Sequence, residues 1–240
     1  MLKITGQKVK IQPNMKPKQK ISSLFTKGLF RRTFFVCGFW FCYAVAYYGI
    51  SMYTPTILKP FTHGSQMMVY IGSGTVSLLG LIGAIIGMNL VERIGRRPLI
   101  ITSFTGLSIA LIILALNPSP TMAFLVILFS FAVLFANMGG GILNFVYPTE
   151  LFPTGIRASA SGLATAVSRI GSIMGILVFP NLVVAWGNSK ALWFFAAAGL
   201  LGLLISAILA PETKGKNLEL INQEFDEKNA EAGGKNGNLA

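Results

Sequence analysis

The sequence has few charged side chains and few side chains that carry chemistry. Asp, Glu, Lys and Arg make up 12% of its 240 residues, whereas soluble domains carry about 25%. It contains two cysteines and one histidine, His63, which we place in an outer loop without a functional role. We find no nucleophile–base set, metal-ligand cluster or phosphate-binding loop, and therefore predict no enzyme, metal centre or cofactor.

Charge is missing altogether from four long segments, which cover residues 33–58, 64–91, 98–149 and 170–189. Because about 18 apolar residues without charge can cross a bilayer as a helix, this pattern predicts an all-α membrane protein. The segments are too long and too uniformly apolar for barrel strands, which have about 10 residues of alternating polarity. We predict six transmembrane helices near residues 33–58, 67–91, 98–116, 121–146, 159–185 and 191–210.

The distribution of positive charge predicts the orientation of the chain. Seventeen of the twenty Lys and Arg residues fall on one side of the predicted helices. Since cytoplasmic loops are enriched in Lys and Arg, we place both termini in the cytoplasm of a multi-pass cell-membrane protein, in the inner membrane if it is bacterial. The predicted parts are a basic cytoplasmic segment (1–32), a six-helix bundle (33–210) and a cytoplasmic tail (211–240). The basic charge is assigned to topology and to the lipid bilayer, so nucleic acid is not predicted as a partner.

Polar residues recur at helical spacing within three predicted spans and therefore share one face of each helix. The face of the first span consists of Trp40, Tyr43, Tyr47, Ser51 and Thr54. The fourth span has Asn137, Gly140, Gly141 and Asn144, and the fifth has Ser161, Thr165, Arg169 and Ser172. Because polar groups that face lipid are costly, these side chains either form hydrogen bonds between helices or line a substrate cavity. For the three faces together we favour the cavity.

Small residues form a further pattern, which we predict to be helix packing. The second span carries such a stripe, consisting of Ser73, Ser77, Gly80, Ala84 and Gly87. Two glycine pairs, 83 with 87 and 171 with 175, have the four-residue spacing that lets helices approach closely in a membrane.

Arg169 is the one charged residue inside a predicted span. It lies twelve residues beyond Arg157, about 18 Å along a helix and thus near the middle of a hydrocarbon core about 30 Å thick. A central arginine costs about 2.5–3.5 kcal/mol on insertion scales, and no Asp or Glu lies within the six spans. Arg169 is therefore either solvated by Ser, Asn and backbone carbonyls or bound to an anionic group of a substrate. In a proton-driven carrier, the proton-carrying residue would lie outside this chain.

Three short segments follow the second, fourth and sixth predicted spans in order. They read GMNLVERIGRR (87–97), YPTELFPTGIR (147–157) and PETKG (211–215). They resemble, respectively, the cytoplasmic-loop signature, the segment after the tenth span and the closing motif of the major facilitator superfamily, in its branch of sugar porters and metabolite:proton symporters.

The resemblance implies the C-terminal six-helix half of a fold whose halves are inverted three-plus-three repeats. Such a half would belong to a secondary active transporter that moves a small metabolite by alternating access, coupled to protons when complete. It would need a second six-helix half, from another chain or from its own copy. Departures from the sugar-porter pattern at Cys42, Tyr43 and Phe145 leave the substrate as an organic ion or a sugar. The alternative is an inactive relic, or a non-transporting membrane protein associated with an intact carrier.

The resemblance also implies a gate at the cytoplasmic ends of the spans. Its charge network would consist of Glu92, Arg93, Arg96, Glu150, Arg157 and Glu212. We expect these pairs to be partly wet and worth about 1 kcal/mol each, and we expect Arg93→Ala to slow transport without much loss of substrate affinity.

Overall fold

The computed structural model describes residues 21–62, 64–117 and 119–215. His63, most of the basic segment 1–32 and the tail from residue 216 lie outside the described residues. The described chain forms helices α1 (Lys27–Leu58), α2 (Gln66–Ile94), α3 (Arg96–Leu116), α4 (Met122–Phe135), α5 (Ile142–Leu151), α6 (Thr154–Trp186) and α7 (Asn188–Leu209). Short 3-10 helices cover Ile21–Phe25 and Lys59–Phe61, and a π-helical segment, Ala136–Gly141, joins α4 to α5.

The six predicted spans are confirmed, because six helices are long and apolar enough to cross a membrane. The fourth of them comprises α4, the π-helical segment and α5 together, Met122–Leu151. Several helix ends differ from prediction by five or six residues. The first span begins at Lys27, the fourth continues to Leu151 and the fifth begins at Thr154. The prediction stopped where the apolar run stopped, whereas backbone hydrogen bonding carries the helix on through polar residues beyond it.

Helix α1 lies at the centre of the bundle and packs against α6 on one side and α7 on another. Helices α3 and α7 pack together behind it, and α2 packs against the fourth span. Buried aromatic residues fill the interior near the N-terminus of α1, where Phe35 and Phe39 surround the ring of Tyr147 from α5. Helices α1, α3 and α7 thus pack together as one group within the bundle.

Glycines allow the closest helix contacts, as predicted for both four-residue pairs. A side chain at Gly83 or Gly87 would overlap the backbone of the fourth span at Leu134 and Met138. One at Gly171 or Gly175 would overlap the backbone of α1 at Phe41 and Val45. Close backbone approach replaces the hydrophobic driving force that is missing between helices in lipid.

The two ends of the bundle differ in charge. The N-termini of α1, α3 and α6 and the C-termini of α2, α5 and α7 meet at one end, which we call the charged end because Arg96, Glu92 and Glu150 lie there. The other end, which we call the opposite end, carries the turns around Gly64 and Gly187.

Candidate substrate cavity and charge cluster

Two adjoining cavities open among α1, α2, the fourth span and α6. The larger, about 370 Å³, lies between α1, α2 and α4, where its polar lining includes Tyr47, Ser51, Thr54, Ser73 and Ser77. The smaller, about 200 Å³, adds α6, and its polar lining includes Trp40, Tyr43, Tyr48, Asn144, Ser168 and Arg169. Ala84 and Asn137 line both, so we treat the two as one substrate cavity.

The three predicted polar faces meet at this cavity, although not with every residue. All five residues of the first face line it, as do Asn137, Gly141, Asn144 and Arg169. Gly140 instead packs under the ring of Tyr43, and Ser172 is buried, where its hydroxyl donates to the carbonyl of Ser168 at 3.0 Å. Ser161 and Thr165 are not among the lining residues, because they lie closer to the charged end of α6.

The stripe on α2 serves two purposes. Gly80 and Gly87 pack closely against the fourth span, as predicted for a packing seam. Ser73, Ser77, Gly80 and Ala84 also line the cavity, which was not predicted from the sequence. The packing surface of α2 further includes Gly72 and Gly83.

The π-helical segment shapes the fourth-span wall of the cavity. Its sequence, ANMGGG, contains three glycines, and a π-turn leaves backbone groups of an α-helix without their usual partners. Ser103 of α3 supplies partners: its hydroxyl donates to the carbonyl of Phe135 at 2.6 Å and accepts from the amide of Gly140 at 3.0 Å. The widened turn thereby presents Asn137, Gly141 and Asn144 to one cavity.

Several polar atoms at the cavity are buried and have no hydrogen-bond partner in the described part of the chain. They are the hydroxyls of Ser51 and Ser73 and the side-chain carbonyl oxygen of Asn144. Because buried polar atoms are nearly always hydrogen-bonded, such a group in a cavity wall is available to water or to a ligand. Asn144 is 3% exposed, so a ligand must reach it through the cavity.

Arg169 is the sixteenth of the 33 residues of α6 and thus lies at the middle of the span. Its side chain lines the cavity and is exposed. Within residues 21–62, 64–117 and 119–215 it forms no ion pair, and Trp40, Tyr43, Asn137 and Asn144 line the same cavity. The cavity can therefore accommodate a ligand that combines an anionic group with a planar or aromatic body.

Aromatic rings form the α1 side of the cavity. Tyr43 and Tyr47 stack with centroids 5.2 Å apart and planes 9° apart, and Trp40 meets Phe145 edge to face at 5.8 Å. One turn of α1 separates Tyr43 from Tyr47, so these two side chains present flat surfaces and phenolic hydroxyls side by side. Tyr48 and Phe145, which were not predicted as lining residues, belong to this wall.

At the charged end, Arg96 lies between two carboxylates. Its guanidinium reaches Glu150 of α5 at 2.7 Å and Glu92 of α2 at 2.8 Å. Arg96 is 7% exposed and the Glu150 side chain 21% exposed, while that of Glu92 is 71% exposed. Arg96 is therefore buried and Glu150 partly buried, whereas Glu92 is largely exposed. Removal of one partner of a fully buried pair costs about 3–5 kcal/mol, and an exposed pair contributes about 1 kcal/mol or less.

The segment PETKG binds to this cluster from the C-terminal side. The Glu212 carboxylate accepts hydrogen bonds from the backbone amides of Arg96 at 3.0 Å and Arg97 at 3.1 Å. These are the first residues of α3, where free amides and the helix dipole favour an anion. The hydroxyl of Thr213 donates to Glu150, and the amine of Lys214 donates to the carbonyl of Arg93 at 2.6 Å.

Two consequences follow for Glu212 and for Gly95 before α3. Partial burial by itself would raise the pKa of the Glu212 carboxyl, but hydrogen bonds from the amides of Lys214, Arg96 and Arg97 outweigh it and lower that pKa below its ordinary value.

Gly95 has φ +98°, a conformation that side chains disfavour. A Cβ there would come within 2.7 Å of a Glu212 carboxylate oxygen, so the close approach of the carboxylate also requires glycine.

The structure brings together four of the six residues predicted for the gate. Arg93 is exposed and its side chain forms no ion pair with the described residues, although its carbonyl accepts from Lys214. Arg157 donates to the carbonyl of Phe152 at 3.2 Å, where it holds the turn between α5 and α6. Sequence reasoning missed Thr213, whose hydroxyl binds Glu150. Among the described residues no group of three His, Cys, Asp or Glu is placed to hold a metal ion.

Six membrane-crossing helices around a lateral polar cavity define half of a major facilitator superfamily fold. The family described as Sugar (and other) transporter matches residues 3–225. The chain belongs to this family of membrane transport proteins, and it is not an enzyme.

Individual relatives show how much of a transporter the chain covers. It is 35% identical over 219 residues to YaaU of Escherichia coli (strain K12), provisionally named a metabolite transport protein, covering 91% of this chain and 49% of YaaU. A protein of Arabidopsis thaliana, provisionally named inorganic phosphate transporter 1-6, is 28% identical over 204 residues, which are 78% of this chain and 39% of that protein. The structure of the proton:xylose symporter XylE bound to 6-bromo-6-deoxy-D-glucose has a TM-score of 0.67 and 25% identity, over 84% of this chain and 46% of that one. The chain thus spans about half the length, or less, of these relatives.

Proposed function

We propose that this chain supplies one half of a secondary active transporter that moves a small metabolite by alternating access, coupled to protons in the complete carrier. The observation that carries this proposal is the substrate cavity, which lies at mid-span, is lined by four of the six spans and contains unpartnered polar atoms. Proton coupling is supported by the similarity to XylE, a proton:xylose symporter. We place the proton-carrying residue in the other half, since none of the described residues that line the cavity is acidic.

The second half is another six-helix bundle, from a different chain or from a second copy. In α2 and in α6, only 28% of an apolar 18-residue stretch is buried within the described bundle, compared with 67% in α1. Both helices carry cavity residues, so a partner bundle on this side would close the cavity. Transport by this chain alone would require the second copy.

The charge cluster acts as the gate at the cytoplasmic ends of the spans. In the outward-facing state Arg96 is paired as observed, and in the inward-facing state the α2–α3 turn separates from α5. The excess of Lys and Arg supports a cytoplasmic position for the charged end. Cysteine accessibility tests this orientation: in a background without Cys37 and Cys42, Lys59→Cys should react with an impermeant reagent outside cells and Lys214→Cys only after permeabilisation.

Arg169 selects for an organic anion over a neutral sugar. An unpaired guanidinium inside a cavity with amides and stacked tyrosines matches a carboxylate or phosphate group on a small, flat molecule. Uptake into proteoliposomes tests the proposal with radiolabelled benzoate, inorganic phosphate and xylose under an inward proton gradient. We expect uptake of an anion that Arg169→Gln reduces at least tenfold, while Lys190→Gln, which removes one charge from the exposed opposite end, leaves it unchanged.

The outcomes of this experiment separate the candidate functions. Uptake of xylose that does not depend on Arg169 would support the proposal of a carrier but contradict the proposal of an anionic substrate. No uptake of any probe, by the chain alone or together with the complementary half of a relative such as YaaU, would favour the alternative of an inactive relic or a non-transporting membrane protein. This alternative is supported by the observation that the chain covers only about half the length of YaaU and of XylE.

A further inference from the structure

A separate cavity at the charged end is lined by three arginines. It measures about 330 Å³ and lies where the N-termini of α1 and α3 meet the C-terminus of α7. Arg31 and Arg32 come from α1 and Arg97 from α3, and residues 208–211 complete the lining. It shares no residue with the substrate cavity. We call it the arginine cavity.

Arg31 and Arg97 are anchored but retain free donors. Arg31 donates through Nη2 to the carbonyl of Ile208 at 3.3 Å, and Arg97 through Nη2 to the carbonyl of Ala207 at 3.0 Å. Each guanidinium has five N–H donors in a planar fork, so most of them have no partner in the described part of the chain. Both side chains are thereby fixed at the α7 terminus with donors turned toward the same cavity.

Arg31 and Arg97 have no acidic partner among the described residues that line the arginine cavity. None of these lining residues carries a carboxylate, whereas Arg96, the neighbour of Arg97 in sequence, has two. Glu212, which follows the lining residue Pro211, accepts hydrogen bonds from backbone amides of α3 and of Lys214. A ligand that supplies negative charge is therefore the chemical complement of this site.

Apolar side chains lie just inside the arginines, toward the middle of the membrane. Phe34 follows Arg31 by three residues on α1 and is 52% exposed, and Leu204 precedes Ile208 by four on α7 and is 56% exposed. Ile208, itself in the cavity lining, is 61% exposed. Residues three and four apart share a helix face, so cationic donors at the helix ends border an apolar surface one turn deeper.

We propose that the arginine cavity binds the phosphate of an anionic phospholipid headgroup, with the acyl chains along Phe34 and Leu204. Arginine forks match phosphate oxygens, and basic pockets between transmembrane helices bind such headgroups. Free inorganic phosphate shares the headgroup chemistry, but the exposed apolar rim favours the lipid. The bound lipid would join the ends of α1, α3 and α7, directly beside the charge cluster.

Native mass spectrometry of the purified, delipidated chain tests this site. The probes are phosphatidylglycerol and phosphatidylcholine with identical acyl chains, together with inorganic phosphate. We expect phosphatidylglycerol to bind at least tenfold more tightly than phosphatidylcholine, and the double substitution Arg31→Gln/Arg97→Gln to weaken it on the order of 30-fold. Inorganic phosphate at millimolar concentration should displace little of the lipid.

Two control variants distinguish a loss of arginine charge in the cavity from misfolding of the chain and from a change in its net charge. Arg31→Lys/Arg97→Lys keeps the charge but loses the planar fork, so it should weaken phosphatidylglycerol binding about threefold to tenfold, less than the Gln pair does. Lys59→Gln/Lys190→Gln removes the same two charges from exposed positions at the opposite end and should leave binding unchanged.

Three results would overturn the proposal. Equal loss in the Lys and Gln double variants would show that charge is not what binds the lipid, and equal loss in the opposite-end control would show non-specific attraction. Unchanged binding in the Gln variant would mean that lipid binds elsewhere or that another part of the chain occupies the cavity. Displacement of the lipid by inorganic phosphate at equal concentration would assign the site to free phosphate.

Discussion

Arg96 and Arg169 are both arginines on membrane helices, yet their surroundings are opposite. Arg96 is almost fully buried and is held by Glu92, Glu150 and the carbonyl of Val91. Arg169 lies at mid-span, exposed in a cavity, without an ion pair among the described residues. The comparison indicates that the first arginine contributes to the integrity of the bundle, whereas the second is available to a ligand.

The largest expected effect comes from loss of the Arg96 side chain. Arg96→Ala would leave Glu150 partly buried without its cation, which should lower the free energy of unfolding by about 3–5 kcal/mol. Thermal unfolding of the purified chain in detergent measures this. The matched control is Arg93→Ala, three residues earlier and exposed, for which we expect a change below about 0.5 kcal/mol. Equal destabilisation by both would contradict the distinction between a paired and an unpaired arginine.

Gly95→Ala tests the turn that places Arg96. The substitution introduces a strained backbone and a Cβ within 2.7 Å of the Glu212 carboxylate, so we expect a loss of about 2–3 kcal/mol in unfolding free energy. Gly64 has a similar φ of +84° with nothing within 4 Å of its Cβ position, and Gly64→Ala should cost only about 1 kcal/mol. Equal losses of unfolding free energy in the two variants would show that the contact between the new Cβ and Glu212 does not contribute to the destabilisation.

Glu212→Gln tests the contact between the PETKG segment and α3, with an expected loss of about 1 kcal/mol at pH 7. Because the folded-state pKa of Glu212 lies below 4.5, its carboxylate stabilises the fold above that pH. This contribution is lost as pH falls through the lowered pKa. Unfolding measured from pH 7 to pH 3 should show the difference between the Gln variant and the parent chain shrinking below about pH 4.5. A constant difference across that range would reject the ionised carboxylate as its cause.

Arg169→Gln should have the smallest effect on stability, within about 0.5 kcal/mol, because the side chain is exposed in a cavity and has no ion pair to lose among the described residues. The same variant is expected to reduce anion uptake at least tenfold, so stability and function should separate at this residue. Unfolding and uptake are to be measured on one preparation. A loss of several kcal/mol would show that Arg169 has a structural partner in the fold and would remove it from the binding site.

The sequence was sufficient for much of the fold because membrane helices are specified locally. Long runs with little or no charge predicted all six spans, although the fifth contains Arg169, and glycine spacing predicted where the backbones approach. Helix ends were predicted poorly, since residues such as Glu150 continue a helix beyond the hydrocarbon region. The cavity-lining role of the α2 stripe was not predicted, because a small hydroxyl side chain serves equally well at a packed or a cavity-lining position.

Part of the candidate site could also be predicted, because helical periodicity places residues on one face. Periodicity cannot tell which face meets which, and it fails where the π-helical segment changes the register between Asn137 and Asn144. It also could not predict that Arg96 is buried and paired whereas Arg93, three residues earlier in the same charged segment, is exposed.

From its sequence alone, this protein was determined to be an all-helical membrane protein with six spans and the motifs of one half of a transporter. Hydrophobicity and spacing are properties of neighbouring residues, so no tertiary information was needed. The packing of the helices is what pairs Arg96 with Glu150, 54 residues away, places Glu212 at the start of α3 and leaves Arg169 open in a cavity. Those relations depend on how distant helices pack, which no local pattern records.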